Sequence, residues 1–445
     1  MASTSSIATT LLAVVAAGWL IPAGEAFAQT PARQSSGGGL FGGSSPAGTE
    51  RHTLDLSASL AGAYDDNLVA DATPTAASGA FQASGVYSSF IPQVNFARRG
   101  RVQLAINAGS NLRYYDHGHQ FVALSHSIGA GVSAQVTPRN SFSINQSVNY
   151  APASLFGLFA PAFAPALGDV VAPGDDTHVT SERSYVYATT AGFSHSLGGR
   201  TTLSLNSGYR YSDFVGDVPG FTDLRSYEVG GRLNHSLDRR VGLRLGYTYR
   251  KAQYSSLQNP VENALDIGID YSRALSQTRR MVFGFTLGPT MIDGPIEGNL
   301  SAAANRQYRI VGEAFVSRDI GRSWNGRASY RRGVGFVQGI SQPVFSDAVT
   351  IQGTGLLNRR TDFDASVAFS SGGSALTGAS TPFTMYNANS RLRFAITKMW
   401  ATYIEYLFYF YDFNQSTQLP PGVPSRLTRN GARIGLTLWV PVRHR

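Results

Sequence analysis

"RRVGLRLGYTYRK", Arg239 to Lys251, alternates with a period of two. Val241, Leu243, Leu245, Tyr247 and Tyr249 share one parity, and Gly242, Arg244, Gly246, Thr248 and Arg250 share the other. Successive side chains of a strand point to opposite faces, so the segment has one greasy side and one side rich in Arg and Gly. In a soluble sheet the greasy side would cover a core while the Arg side met bulk water. In a membrane barrel the greasy side would meet lipid and the Arg side would line a water-filled lumen. The rest of the chain decides between the two.

The same contrast recurs almost to the last residue. "TLDLSASLAGAY" (53–64), "VQLAINAGSNLRYY" (102–115), "SFSINQSVNY" (141–150), "TLSLNSGYRY" (202–211), "ALDIGIDYSR" (264–273) and "ARIGLTLWVPV" (432–442) all carry it. About eighteen such segments can be drawn, each near the length that crosses a bilayer as a tilted strand. Their connections alternate in kind. Those at 97–101, 137–140, 198–201, 238–240, 277–280, 319–323, 358–361 and 397–399 are short and carry Arg, Gly, Asn or Thr. Those at 65–82, 115–121, 151–182, 212–223, 252–262, 290–302, 333–346, 370–384 and 412–429 are longer and variable. Turns at one end and loops at the other are the build of an outer-membrane barrel, whereas a sandwich has no reason to sort its connections by length. Tyrosines such as Tyr64, Tyr114, Tyr150, Tyr185, Tyr211 and Tyr249 cluster toward the long-loop end, as an interfacial aromatic girdle would. The reading is an all-β, antiparallel, up-and-down transmembrane barrel.

Composition agrees. Of 445 residues only 15% are charged, while Gly reaches 48 and Tyr and Phe 21 and 25. The formal charge of +9 invites a nucleic-acid partner, but the basic residues form no block or stripe, so that class is set aside. Cysteine is absent, which removes disulfides, thiolate metal sites and thiol catalysis. Residues 1–28 read as a signal peptide, with an apolar run from Ile7 to Ile21 and Ala26-Phe27-Ala28 as the cleavage pattern. Residues 29–50 are a Gly/Ser/Pro-rich linker, and residues 51–445 are the barrel. The expected location is the outer membrane of a Gram-negative bacterium. The expected partners are its lipid, the machinery that inserts barrels and, on a second reading, periplasmic polysaccharide-export components.

At "LAGAYDDNLV" (60–69), "SVNYAPAS" (147–154) and "RNGARIGLTLWVPV" (429–442) the chain resembles the outer-membrane β-barrel porins of the second beta-barrel porin family. The resemblance covers the mature chain in pattern and rests on short motifs. It implies a porin-like barrel, often linked with exopolysaccharide loci, that passes or exports polysaccharide. Such barrels usually end on an aromatic residue, and this chain ends Val442-Arg443-His444-Arg445.

Catalytic and metal motifs are sparse. Neither GxSxG nor HExxH occurs. His195 and His235 precede short turns on the outward parity, where an interfacial side chain reaches for headgroups. His126 shares that parity at the other rim, and His117 and His119 sit in a loop without a second ligand pair. Asp65, Asp66 and Asn67 lack an EF-hand continuation and read as a turn-forming acidic loop past the first strand. No metal, cofactor or enzymatic activity is expected.

The inward parity carries more. Arg113, Arg210, Arg232, Arg244, Arg250, Arg309, Arg327, Arg331, Arg391, Arg393 and Arg433 fall on it. So do Asp55, Glu228, Asp266, Asp270, Glu313, Asp362, Asp364 and Glu405. In a water-filled pore such charges set a transverse field and select solutes, or they knit neighbouring strands; both roles require the same residues. "ATYIEYLFYFYDF" (401–413) is aromatic on both faces, and Tyr403, Tyr409 and Trp439 could stack a sliding sugar chain. The longest loop, 151–176, is apolar for an exposed one. Its Phe156, Phe159 and Phe163 suit a constriction folded into the lumen or, equally, a partner-binding outer loop. Three functions remain open: a passive channel for hydrophilic solutes, a dedicated exit channel for a secreted exopolysaccharide, and a barrel enzyme acting on lipid or peptide.

Overall fold

The computed structural model describes residues 52–68, 83–115, 121–154, 167, 178–215, 222–255, 259–276, 279–294, 305–320, 323–337, 340, 342–376, 383–413 and 425–444. Residues 1–50, read from the sequence as a signal peptide and linker, and His117, His119, Phe156, Phe159 and Phe163 lie outside them. The described residues form 18 strands and no helix. In chain order these are β1 (His52–Leu68), β2 (Ala83–Arg98), β3 (Val102–Tyr115), β4 (Phe121–Thr137), β5 (Asn140–Ser154) and β6 (His178–Ser196). They continue with β7 (Thr201–Phe214), β8 (Leu224–Ser236), β9 (Val241–Tyr254), β10 (Val261–Ser276), β11 (Arg279–Gly294) and β12 (Asn305–Ile320). The last six are β13 (Trp324–Gly335), β14 (Val344–Asn358), β15 (Thr361–Ser374), β16 (Phe383–Ala395), β17 (Trp400–Phe413) and β18 (Arg426–His444).

Each strand pairs antiparallel with its neighbours in sequence, and β1 pairs with β18 from Thr53↔His444 to Asp65↔Gly431. The sheet therefore closes on itself and leaves no edge along the seam.

The opening question is settled by exposure. Leu243, Leu245, Tyr247 and Tyr249 are 41%, 48%, 50% and 37% exposed on the outside of the ring, where no second sheet covers them. Gly246, Ala252 and Tyr254, on the opposite parity of β9, are buried inside. Leu60, Val229, Ile267, Ile310, Ile351, Ile404 and Ile434 continue the apolar outside around the ring. A contiguous apolar belt of this extent belongs in a non-aqueous solvent, because exposing it to water would oppose folding.

Short-turn chemistry explains where the strands reverse. Thr137 Oγ1 accepts the N–H groups of Arg139 and Asn140 at 3.2 and 3.1 Å, and Thr397 Oγ1 those of Met399 and Trp400 at 3.1 and 3.0 Å. Asp238 Oδ1 does the same for Arg240 and Val241, and Asn358 Oδ1 accepts from Arg360 N. A side-chain oxygen that takes two successive N–H groups replaces the missing ladder bonds and fixes a tight reversal. Those two N–H donors hold the Asp238 carboxyl below its ordinary value. A depressed folded-state pKa stabilises above the unfolded value, and the contribution is lost as pH falls through the folded one. Amide protection at Arg240 and Val241, taken relative to the intrinsic exchange rate at each pH, is therefore expected to fall on acidification below the usual carboxylate range in wild type. In Asp238→Ala it is expected to be low at every pH.

One expectation is corrected at the seam. Asp65 and Asp66 are not in a loop; both extend β1. Asp65 accepts from Arg429 at 2.6 Å, and Asp66 accepts from the backbone and side-chain nitrogens of Asn430, each at 2.6 Å. Asp is a poor strand former in general, and here cross-strand partners on β18 offset that preference.

Candidate functional site

All the Arg, Asp and Glu residues picked out by parity face the inside of the ring. Several meet a partner on the adjacent strand. Arg391 Nε lies 3.1 Å from Asp364, Arg393 Nε 2.9 Å from Asp362, Arg433 3.6 Å from Glu405 and Arg244 3.4 Å from Asp270, while Arg232 of β8 reaches across β9 to Asp266 of β10 at 3.9 Å. Arg250 pairs with Glu262, a carboxylate the sequence reading did not single out and one of the most buried in the barrel. Tyr87 sits between two guanidinium groups, that of Arg113 at 5.6 Å and that of Arg433 at 5.9 Å from its ring centre. Its hydroxyl also accepts from Arg433 Nε. Arg327 stacks on Phe315 at 4.3 Å and Arg309 on Phe345 at 5.4 Å. Arg210 and Arg331 complete the inward set on β7 and β13.

The charge is one-sided. On β2–β7 the inward positions include Gln93, Asn95, Asn107, Asn111, Ser133, Ser143, Asn145, Ser147, Thr190, Ser204 and Asn206, with Arg113 and Arg210 as the cations among them. On β8–β18 the charged inward residues concentrate on β8–β10, β12, β13 and β15–β18, where arginines face acids. A neutral hydroxyl and amide wall thus faces a charged one across the interior.

At the loop end the barrel is narrowed from within. Along β11, β12 is paired from Asn305 to Arg318, but along β13 only from Gly312 to Ile320. Above Gly312↔Arg332 the hairpin of β13 and β14 separates from β12 and, still paired with β15 as far as Val344↔Ser374, leans into the ring. Its tip then reaches three parts of the opposite inner surface. Phe336 packs against Leu224, Ala252 and Tyr254 of β8 and β9, with the Arg250 guanidinium 5.6 Å from its ring centre. Val334 joins Ile292 of β11 together with Ala375 and Leu376. Val337, Ile340 and Val344 are buried with Phe383, Met385, Tyr409, Tyr411, Phe413 and Leu427 of β16–β18. Gly372 permits the fold: a Cβ there would lie 2.2 Å from the Phe345 carbonyl oxygen. Ser374 Oγ donates to Gln342 Oε1 at 2.9 Å, and Ala375 N to Pro343 O at 2.8 Å, which tie the end of β15 to the tip.

Two expectations meet this element. A constriction was expected from loop 151–176, whose three phenylalanines lie outside the described residues; the inward element that is described is built from Val334, Phe336, Val337, Ile340 and Val344 instead. The stacking face expected along Tyr403, Tyr409 and Trp439 does point inward, but it is not open. Tyr409 is buried beneath the hairpin, and Trp439 packs with Ala395 and Ala401 near the turn end. The outward histidines are engaged locally: His195 Nδ1 with Asn140 Oδ1 at 2.5 Å, His235 Nδ1 with Thr201 Oγ1 at 2.9 Å and His126 Nδ1 with Ser110 Oγ at 2.9 Å.

Fold and interior together define a closed antiparallel barrel with an apolar exterior, a polar interior and an infolded hairpin. No family model matches the chain, so the porin resemblance stands on the residues quoted for it. No curated protein matches it either. Among solved structures it is similar to Pseudomonas aeruginosa OccK2 (OpdF) in complex with glucuronate, 11% identical, covering 88% of this chain and 98% of that one at a TM-score of 0.42. It is also similar to Pseudomonas aeruginosa OpdL, 9% identical, 88% and 99% covered, TM-score 0.40. A third is Acinetobacter baumannii OccAB2, 9% identical, 88% and 98% covered, TM-score 0.39. At that level of likeness the functional reading rests on this chain's own residues.

Proposed function

We propose that the chain is a passive channel of the outer membrane of a Gram-negative bacterium that admits small hydrophilic solutes. The short turns face the periplasm and the long loops face outside. One observation carries the reading: a closed ring whose outer face is apolar and whose inner face is lined with paired charges and hydrogen-bonding side chains. Water fills such an interior, while lipid suits the exterior. The protein acts by letting solutes through, not by chemistry on them, and its partners are the surrounding lipid and the insertion machinery. The polymer-exit reading gains nothing from the interior, because the aromatic face it needs is packed under the hairpin at Tyr409.

The test is conductance. Purified protein added to a planar bilayer is expected to give discrete ohmic steps, and a silent, plugged barrel would refute the reading. Within that reading, removing positive charge while leaving Asp362 and Asp364 in place should favour cations. Arg391→Gln with Arg393→Gln is expected to raise the cation-to-anion permeability ratio on the order of twofold, read as a shift in reversal potential in a salt gradient.

A further inference from the structure

The outer face of β5–β9 at the loop end carries the longer of two aromatic runs on the described rim, the other being Phe369, Tyr386 and Phe410 of β15–β17. Tyr150, Tyr185, Tyr187 and Tyr211 form a run of neighbouring rings with centroids 4.8, 6.2 and 6.1 Å apart, and Tyr209 lies 5.1 Å from Tyr227 beside it. All six are on outward parities, directly above the apolar belt at Leu205, Val229 and Leu245. Three cations stand on this platform. The Arg183 guanidinium donates to Tyr150 Oη at 3.1 Å, Arg225 lies 4.9 Å from the Tyr211 ring centre, and Lys251 is the cross-strand partner of Tyr227.

The acids around them do not balance the charge. Asp213, opposite Tyr185 on β7, is the outward carboxylate of the patch, and Asp223 lies at its upper edge with its carboxyl accepting from Phe214 N. Elsewhere on the same rim, among the described residues, each outward cation sits beside its own acid: Arg306 at 3.1 Å from Asp293, Arg332 at 3.5 Å from Asp347 and Arg426 across from Asp412. Arg183 and Lys251 make no ion pair among the described residues. Cations left without acids at the height where a lipid headgroup begins, over rings that accommodate both an apolar chain and a polar head, fit one kind of ligand.

We infer that this patch binds the phosphate-bearing headgroup of a lipid in the surrounding bilayer. Arg183, Arg225 and Lys251 hold the phosphate, and the tyrosines carry the sugar or glycerol and the first methylenes. Guanidinium and ammonium groups make short, charge-assisted bonds to phosphate oxygens, and each cation near an anionic surface adds attraction. The inference rests on the membrane reading above.

The test uses the full chain in detergent micelles doped with lipid A, a bisphosphorylated glycolipid, or with its enzymatically dephosphorylated form, and counts retained lipid by native mass spectrometry. Wild type is expected to retain the phosphorylated lipid and to lose the dephosphorylated one. The triple variant Arg183→Gln, Arg225→Gln, Lys251→Gln is expected to retain it at least about tenfold less, with Arg306→Gln unchanged. Equal retention of both lipids by wild type, which requires no variant to fold, overturns the proposal, as does unchanged retention by a triple variant that still shows heat-modifiable mobility on a gel. A chain that stays soluble without detergent sinks the membrane reading and this proposal together. An inserted, conducting barrel indifferent to phosphate sinks the proposal alone.

Discussion

Replacing Phe336, Val337 and Ile340 together by glycine is expected to raise single-channel conductance on the order of twofold or more, with larger current noise. These three side chains, at the tip between Val334 and Val344, carry much of the infolded hairpin's grip on the inner surface. Phe336 reaches β8 and β9, while Val337 and Ile340 reach β16–β18. Burying a Phe and two aliphatic side chains is worth roughly 1.5–3 kcal/mol each, enough to hold a short hairpin tip inside the ring. Without them the tip loses its reason to stay in, and the passage should widen at the loop end. The ring itself should persist, because its ladder below Gly312↔Arg332 does not depend on the tip. Wild-type conductance in the triple-glycine protein, with unchanged gel mobility, would show that the hairpin does not limit the passage.

Breaking the Asp65–Arg429 pair is expected to have the largest effect on stability. The two side chains are 4% and 5% exposed, and the Nε and Nη2 atoms of Arg429 both reach Asp65 Oδ2, at 2.7 and 2.6 Å. A buried charge left without its partner typically costs about 3–5 kcal/mol, whereas removing both charges costs much less. Arg429→Met alone should therefore lower the unfolding midpoint in urea far more than Arg429→Met combined with Asp65→Leu. The location sharpens the effect, since these residues join the first strand to the last. Loss of the pair should show as a shift of the folded band toward the unfolded one on unheated gels. Equal midpoints for the single and double variants would mean the pair is replaced by water at no cost.

Much of the architecture was legible because its signal is local. Strand parity is written in the chain itself: Leu243 and Leu245 against Arg244 and Gly246 fix which side of β9 faces out, whatever the neighbours do. The inward arginines and acids followed from the same parity. Their pairing did not, because it depends on register between strands, which sets Arg391 opposite Glu405 while its guanidinium reaches back to Asp364.

The infolded hairpin was not read at all, although a trace of it was present. Tyr409, Tyr411 and Phe413 on β17, Phe383 and Met385 on β16 and Leu427 on β18 are apolar on the inward parity. An inner wall that turns greasy at one end needs something apolar to cover it. The aromatic run at 401–413 was read instead as a surface for a ligand, which in this barrel is covered by the protein's own chain. The acidic pair at the end of β1 was misplaced for a different reason. Turn propensity is a local average, and the partners that override it, Arg429 and Asn430, stand 364 residues away.

The pairing of Thr53 with His444 brings the two outermost strands side by side with both ends pointing the same way. The ring is thus cyclic but for one link between the start of β1 and the end of β18, and its pairing does not fix which strand comes first. A linker joining those ends, with a cut introduced at 237–240, would specify the same circle with a different opening strand. What the chain order decides is which strands emerge first and which pair must find each other last.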